Sequence, residues 1–262
     1  MTEKNFFIDD QNATKYIDGI GEFINSKVTD ANREGVVLGM SGGIDCSVVA
    51  RLCQEGGVKS KLVMLPDSDG MQRADSMKDA MELINRFGFD HMTVSIKDAC
   101  EAIEKSIQTA TGNPLGDLSS SNIRPRVRMA TLYSIAQDLR SFVIGTGNYN
   151  ERKLGYFTKW GDGAYDLNPL GLITKGEIRT LAKHLNVPEN IITKSPSAGL
   201  FDGQTDEEEM GFSYAESDKY LLTGTSGNKD ADQKIAARIA MSGHKLIAPP
   251  IFTGLNGKER VK

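Results

Sequence analysis

Cysteine, histidine and tryptophan are scarce in this chain, and a long apolar run is missing altogether. The three cysteines, Cys46, Cys53 and Cys100, fall in no CxxC spacing, which argues against a zinc or dithiol redox site. Cys53 and Cys100 read instead as small buried side chains, the usual place of a free cysteine. His91 and His184 lack metal-ligand spacing and read as structural. No apolar stretch approaches the roughly 20 residues that span a bilayer. The start, Met1-Thr2-Glu3-Lys4 followed by Asp9-Asp10, lacks the basic flank and apolar core of a signal peptide, so a cytoplasmic location is expected. A positive surplus is absent too: 31 Lys and Arg face 35 Asp and Glu, a net charge of -4. No overall field would hold nucleic acid or an anionic membrane, and neither is expected as a partner.

What is present is ordinary globular composition, 39% hydrophobic and 25% charged over 262 residues, enough for one large core. Without repeat, linker or low-complexity tract, residues 1–262 read as a single domain. Ala13, Tyr16, Ile17, Ile20, Phe23 and Ile24 recur at helical steps and predict an amphipathic helix. Residues 35–40 form a short apolar run expected of a strand buried on both faces. Alternation follows: a helix to about Gln54, a strand at 61–65, a helix at 72–87, a strand at 91–96 and a helix at 98–110. After a Gly/Pro/Ser-rich loop at 111–121 come a helix at about 126–139 and a strand at 142–144. This rhythm predicts a doubly wound α/β fold with a mostly parallel sheet and helices on both faces. Beyond Gly145 lies a long irregular stretch rich in glycine, aromatics and charge, of a kind that is usually functional. A helix at 174–185, a loop at 195–204 and a terminal helix at 229–241 complete the prediction.

The strongest local signal is Gly39-Met40-Ser41-Gly42-Gly43-Ile44-Asp45-Cys46-Ser47, between the first predicted strand and its helix. Ligands of open parallel sheets bind at the carboxyl ends of strands, where a helix N-terminus offers unpaired N–H groups to a phosphate. Two adjacent glycines let the backbone form an anion-binding nest. The segment has neither the Lys of a P-loop nor the glycine spacing of a dinucleotide fingerprint. Asp45 beside such a nest would repel an anion unless a divalent cation lay between them, which points to a Mg²⁺ ligand; the alternative is a helix cap in a tight turn.

Ser41-Gly42-Gly43-Ile44-Asp45-Cys46 resembles the Ser-Gly-Gly-x-Asp-Ser loop of the N-type ATP pyrophosphatases, with Cys46 in the place of the final serine. A thiol is a weak donor, so this departure leaves the side chain of Cys46 in doubt as a ligand. Further stretches are similar to the ammonia-dependent NAD synthetases in particular: 124–129, 145–151, 155–163, Asp166-Leu167-Asn168-Pro169-Leu170, Lys175, 194–200 and 203–209. The similarity runs from the first helix to His244-Lys245. It implies that Gly39, Met40, Ser41, Gly42, Gly43, Ile44, Asp45, Cys46, Ser47, Thr146, Lys175 and Ser197 bind ATP, and that Asp45 and Glu151 hold Mg²⁺. It implies further that Arg126, Lys159, Asp166, His244 and Lys245 bind deamido-NAD, and that the protein is a homodimer with that substrate near the interface. The activity expected from the resemblance is ATP-driven amidation of deamido-NAD to NAD through an acyl-adenylate, with Asp45, Glu151 and Lys175 in the electrostatic role. The length leaves no room for a glutaminase domain, so ammonia is the expected nitrogen donor. Competing readings are a pyrophosphatase acting on XMP or tRNA and a nucleotide sensor without turnover.

Taken singly, several of these residues have plainer readings. Arg124, Arg126 and Arg128 could be the solvated start of a helix, and Asp206-Glu207-Glu208-Glu209 suits a helix N-terminus better than a ligand set. Phe157 and Trp160 could stack on a substrate ring or pack beneath the loop. Tyr149-Asn150 carries no assigned role.

Overall fold

The computed structural model describes residues 6–68, 71–195 and 206–252. In chain order the elements are α1 (Ala13–Asp30), β1 (Val36–Gly39), α2 (Ile44–Glu55), β2 (Ser60–Met64), α3 (Met71–Phe87), β3 (His91–Thr93), α4 (Lys97–Thr111), α5 (Asp117–Ser121), α6 (Ile123–Asp138) and β4 (Phe142–Ile144). These are followed by α7 (Tyr149–Leu154), α8 (Lys175–His184), α9 (Glu189–Thr193), α10 (Asp206–Met210), α11 (Tyr214–Thr223) and α12 (Lys229–Ser242). The four strands form one parallel sheet in the order β3-β2-β1-β4, with Leu38 opposite both Leu62 and Ile144. A single parallel bridge from Ile144 to Leu167 extends the β4 edge.

Period-two alternation of side chains divides the strands between two cores. Val36, Leu38, Leu62, Met64 and Ile144 face one side, with residues of α1, α2, α3 and α8. Val37, Val63, Leu65 and Val143 face the other, against Ile96, Cys100, Ile123 and Ala136. Helices therefore cover both faces, as the alternation in the sequence predicts. A smaller core of Leu154, Met210, Phe212, Tyr214, Ala231 and Ile235 joins α7, α10, α11 and α12. Cys46, Cys53 and Cys100 are all free and buried. Among the described residues no helix is long and apolar enough to cross a membrane.

The predicted boundaries shift where tertiary contacts decide. The 91–96 strand ends at Thr93, although Val94 N and Ile96 N still donate to Met64 O and Pro66 O at 2.9 Å. α6 begins at Ile123, three residues early, and α5 occupies part of the 111–121 loop. α7, α9, α10 and α11 are too short or too polar to show a clear apolar period. The inward face of α1 also differs from expectation: Ala13, Ile17, Gly21, Ile24 and Val28 are buried, while Phe23 is 41% exposed. The reason is a close approach. A Cβ on Gly56 would lie 2.6 Å from the Gly21 carbonyl oxygen, so α1 turns its glycine, and not its aromatic edge, toward the end of α2. Asn25 Nδ2 then donates to Gly56 O at 2.9 Å.

Gly56→Ala should accordingly cost about 1–3 kcal/mol through overpacking of two backbones. Urea unfolding is the measurement, and the expected outcome is a lower midpoint with an unchanged slope.

Candidate active site

The chain leaves β1, runs to β2 and β3 on one side, then crosses to β4 on the other, so the strand order reverses between β1 and β4. The loops that follow those two strands, Met40–Gly43 and Gly145–Asn148, part there and open a crevice of the kind that binds ligands in such sheets. Gly42 makes the first loop possible. Its φ is +81°, and a Cβ there would lie 2.0 Å from the Ser76 carbonyl oxygen of α3. Gly43 follows in extended conformation as the N-cap of α2, so the first N–H groups of that helix, which have no intrahelical acceptor, face the crevice.

Cys46 and Ser47 turn their side chains back onto the loop. The Cys46 thiol donates to the Gly43 carbonyl at 3.1 Å and lies 3.3 Å from Ser41 Oγ. Ser47 Oγ donates to the same carbonyl at 2.8 Å. Both side chains brace the turn from within, and an anion in the loop would meet backbone N–H groups.

Three helices begin at the crevice, and each brings a charged residue of its first turn into one cluster: Asp45 on α2, Glu151 on α7 and Lys175 on α8. Lys175 Nζ pairs with Asp45 Oδ2 at 2.6 Å, with the lysine side chain only 4% exposed. Asn148 caps α7 in a reciprocal box, its Oδ1 accepting from Glu151 N and its own N–H donating to Glu151 Oε2. Asn148 Nδ2 reaches Asp45 Oδ2 at 3.4 Å, linking the loop after β4 to the loop after β1. Thr146 lies in that same loop, between two glycines. Thr174 and the buried Glu177 form an equivalent box at α8, where Glu177 Oε1 also accepts from Ile8 N at 2.9 Å.

The charges are strongly coupled. Burial, reinforced by the Asp45 charge, pushes the Glu151 carboxyl up to about 8, against the lowering influence of Lys175. Burial works against the Lys175 ammonium, but Asp45 and Glu151 outweigh it and hold its pKa above the ordinary value. Asp45 Oδ1 is buried without a hydrogen-bond partner among the described residues, and Glu151 gains no full counter-charge. Such an excess of carboxylate fits a divalent cation. Asp45 and Glu151 are the two carboxylates that the helix starts bring together, and no group of three or more His, Cys, Asp and Glu side chains among the described residues could hold a metal. The donor set therefore suits a hard cation that takes further oxygens from phosphate and water.

The residues expected to hold the second substrate fall into two places. Lys159 Nζ donates to His244 O at 3.0 Å, and Lys245 Nζ donates to Gly155 O at 2.7 Å and Phe157 O at 2.8 Å, so Lys159, His244 and Lys245 form one patch. Arg126 is exposed at the start of α6, where Pro125 touches the 158–163 loop at Gly161. Asp166 stands apart on the β4 edge, accepting from Val143 N at 2.7 Å and Tyr133 OH at 3.4 Å. Arg124 and Arg128 are half-buried, and both reach the buried Asp67, at 3.4 and 2.8 Å. Phe157 packs beneath the loop, where a Cβ on Gly163 would lie 2.4 Å from its ring, whereas Trp160 is 54% exposed. His184 pairs with Asp10 at 3.1 Å on the surface. Ser197 lies outside the described residues.

Four residues without a site role in the sequence reading come to the charged cluster: Asn148, Asn150, Asp206, which reads there as part of a helix N-terminus, and Tyr214. Asn150 is fully buried, accepting from Lys175 N at 3.1 Å and donating to Ser217 Oγ and Asp218 Oδ1 at 2.6 Å. Asp206, buried at the start of α10, accepts from Tyr214 OH at 3.0 Å and Tyr156 OH at 3.2 Å. A capping-box spacing was the one available signal for Asn148, and none of the others had one.

A parallel sheet with a glycine-turned anion loop at its switch point defines an α/β protein of the adenine nucleotide alpha hydrolase-like class. Comparison with known proteins narrows the class. The family model for NAD synthase matches residues 16–249, and the chain belongs to that family. It is 40% identical over 230 residues to the NH(3)-dependent NAD(+) synthetase of Carboxydothermus hydrogenoformans, covering 87% of this chain and 93% of that one. The enzyme of the same name from Mycoplasma genitalium is 36% identical, with 93% and 97% covered. Among solved structures, NMN synthetase from Francisella tularensis superposes with a TM-score of 0.85 at 37% identity, covering 95% of this chain and 100% of that one. NH3-dependent NAD synthetase from Campylobacter jejuni gives 0.74 at 30% identity, with 94% and 100% covered.

The raised Glu151 carboxyl yields a pH signature in metal-free protein. Between about 4.5 and about 8 the folded state keeps a proton that the unfolded chain has released, so stability falls as pH rises through that window. Denaturation at several pH values should show this decline in the wild type and a flatter curve in Glu151→Gln; identical curves would contradict the assignment.

Proposed function

We propose that the protein is a ligase that amidates deamido-NAD to NAD with ammonia, driven by cleavage of ATP to AMP and pyrophosphate. The observation that carries this reading is the convergence of Asp45, Glu151 and Lys175 around the 39–47 loop in a member of the NAD synthase family.

The chemistry follows from what those groups do. An oxygen of the nicotinate carboxylate forms a bond to the α-phosphorus of ATP while the bond to the bridging oxygen breaks and pyrophosphate leaves. Ammonia then adds to the acyl carbon of the adenylate, loses a proton, and AMP departs with the former carboxylate oxygen. No protein nucleophile is needed; the task is to bring two anions together and to neutralise charge on the leaving group. The backbone of Gly39 to Ser47 cradles the phosphates, Thr146 and Ser197 supply hydroxyls to ATP, and Lys175 provides a fixed positive charge that its burial keeps from being screened. Asp45 and Glu151 would hold Mg²⁺, which when bound neutralises phosphate charge. Arg126, Lys159, Asp166, His244 and Lys245 form the deamido-NAD site, in a homodimer located in the cytoplasm.

A second reading concerns the acceptor alone. The Francisella tularensis NMN synthetase matches 95% of the chain, which keeps nicotinate mononucleotide in play as the carboxylate that is amidated. Both readings share every step.

Chromatography of reactions with ATP, Mg²⁺ and ammonium decides between them. Equal amounts of NAD and AMP from deamido-NAD are expected, and a higher kcat/KM with the mononucleotide would move the assignment to the second acceptor. Glutamine in place of ammonium should give little product. Asp45→Asn should lower kcat by roughly 10²–10³; near-normal turnover would remove Asp45 from the mechanism, and ADP in place of AMP would overturn the adenylation step.

A further inference from the structure

Lys175 occupies a position that is unfavourable twice over. It is 3% exposed and it lies at the first position of α8, where the helix dipole repels a cation, and its ion-pair partner Asp45 offsets both. Resting on the reading above, Asp45 turns to a cation when Mg²⁺ and ATP bind. A carboxylate shared with a divalent ion holds an ammonium less firmly. Some second contact must keep Lys175 aligned at that moment without competing with phosphate for its charge.

The Tyr214 ring meets that requirement. Lys175 Nζ lies 5.2 Å from its centroid, and the ring is 1% exposed. An aromatic face attracts a cation through its quadrupole while carrying no charge of its own, and the attraction grows when water is excluded. Two further observations show that the ring is firmly held. Its hydroxyl donates to Asp206 Oδ2 at 3.0 Å, and Tyr156 OH donates to Asp206 Oδ1 at 3.2 Å, which pins the phenol from its far end. α11, which carries Tyr214, is also fixed to the start of α8: Asp218 Oδ2 accepts from Gly176 N at 2.8 Å, and Asn150 bridges Asp218 and Ser217 to the backbone N–H of Lys175. Burial, together with the charges of Glu151, Asp206 and Asp45, raises the Tyr214 pKa and keeps the phenol neutral.

We infer that Tyr214 is a positioning residue for this reaction, its ring face anchoring the Lys175 ammonium when Asp45 is engaged by a cation. α11 then sets both the backbone and the charged tip of Lys175.

Tyr214→Leu would open a cavity in the small core and could unfold α11, so the test uses an isosteric series. Phenylalanine, 3,5-difluorophenylalanine and 3,4,5-trifluorophenylalanine are placed at 214 in the full chain, and Mg-ATP affinity is measured by titration calorimetry. Phenylalanine should bind within about threefold of wild type, and fluorination should weaken binding stepwise, by about 2–30-fold in total, as ring electron density is withdrawn. In a Lys175→Met background the same series should be flat, since the two residues act as one unit. A flat series with Lys175 present, or an equal slope in both backgrounds, overturns the inference. The reading beneath it fails separately: Lys175→Met binding Mg-ATP as tightly as wild type would remove Lys175 from the ATP site, whereas a weakened Lys175→Met with a flat series removes Tyr214 alone.

Discussion

The ion pair between Lys175 and Asp45 is the contact on which the site depends. It joins α8 to α2 across the mouth of the crevice, between segments 130 residues apart in sequence. Removing either partner would leave the other charge largely buried and short of its nearest counter-charge, a situation that usually costs several kcal/mol. Around this pair the remaining polar groups are arranged in turn. Asn148 touches the Asp45 oxygen that the lysine uses, Glu151 is placed by the Asn148 cap, and Asn150 holds the backbone at Lys175.

The three helix starts that meet here are unequal in energy. An acidic residue in the first turn of a helix lies with the dipole, which favours Asp45 and Glu151 in those positions even though burial and the Asp45 charge act against the Glu151 carboxylate. Lys175 lies against it. A buried cation at the wrong end of a helix is a local conflict, and such conflicts mark sites where binding has outweighed stability. The fold supports the conflict with rigid parts: capping boxes at α7 and α8, a buried Asn150 with every polar atom engaged, and an aromatic ring under the ammonium.

Much of this was legible in the sequence, for reasons that differ by region. The strand at 36–39 and the Leu62–Met64 part of β2 are short apolar runs, and strands alternate with helices from β1 to β4, so the parallel sheet and its covering helices follow from that rhythm. The 39–47 loop stands out because adjacent glycines at a strand end have a definite physical use. What remained hidden depends on contacts between distant segments. No local pattern tells that Arg124 and Arg128 serve the buried Asp67, or that the polar α11 lies against the start of α8. The rotation of α1 is set by one glycine that meets another 35 residues away, and a stripe of apolar residues does not record that.

The two small side chains that close the 39–47 loop carry one more consequence. Cys46 and Ser47 both spend their polar hydrogen on the Gly43 carbonyl, so a short donor at position 46 reaches back by one turn, and here that donor is sulfur. A search pattern written in side chains, with serine obligatory at that place, would pass over this chain. One written in backbone angles, a left-handed residue at 42 and an extended one at 43, would find it, because what the turn keeps is a shape of the main chain and the letters above it are its scaffolding.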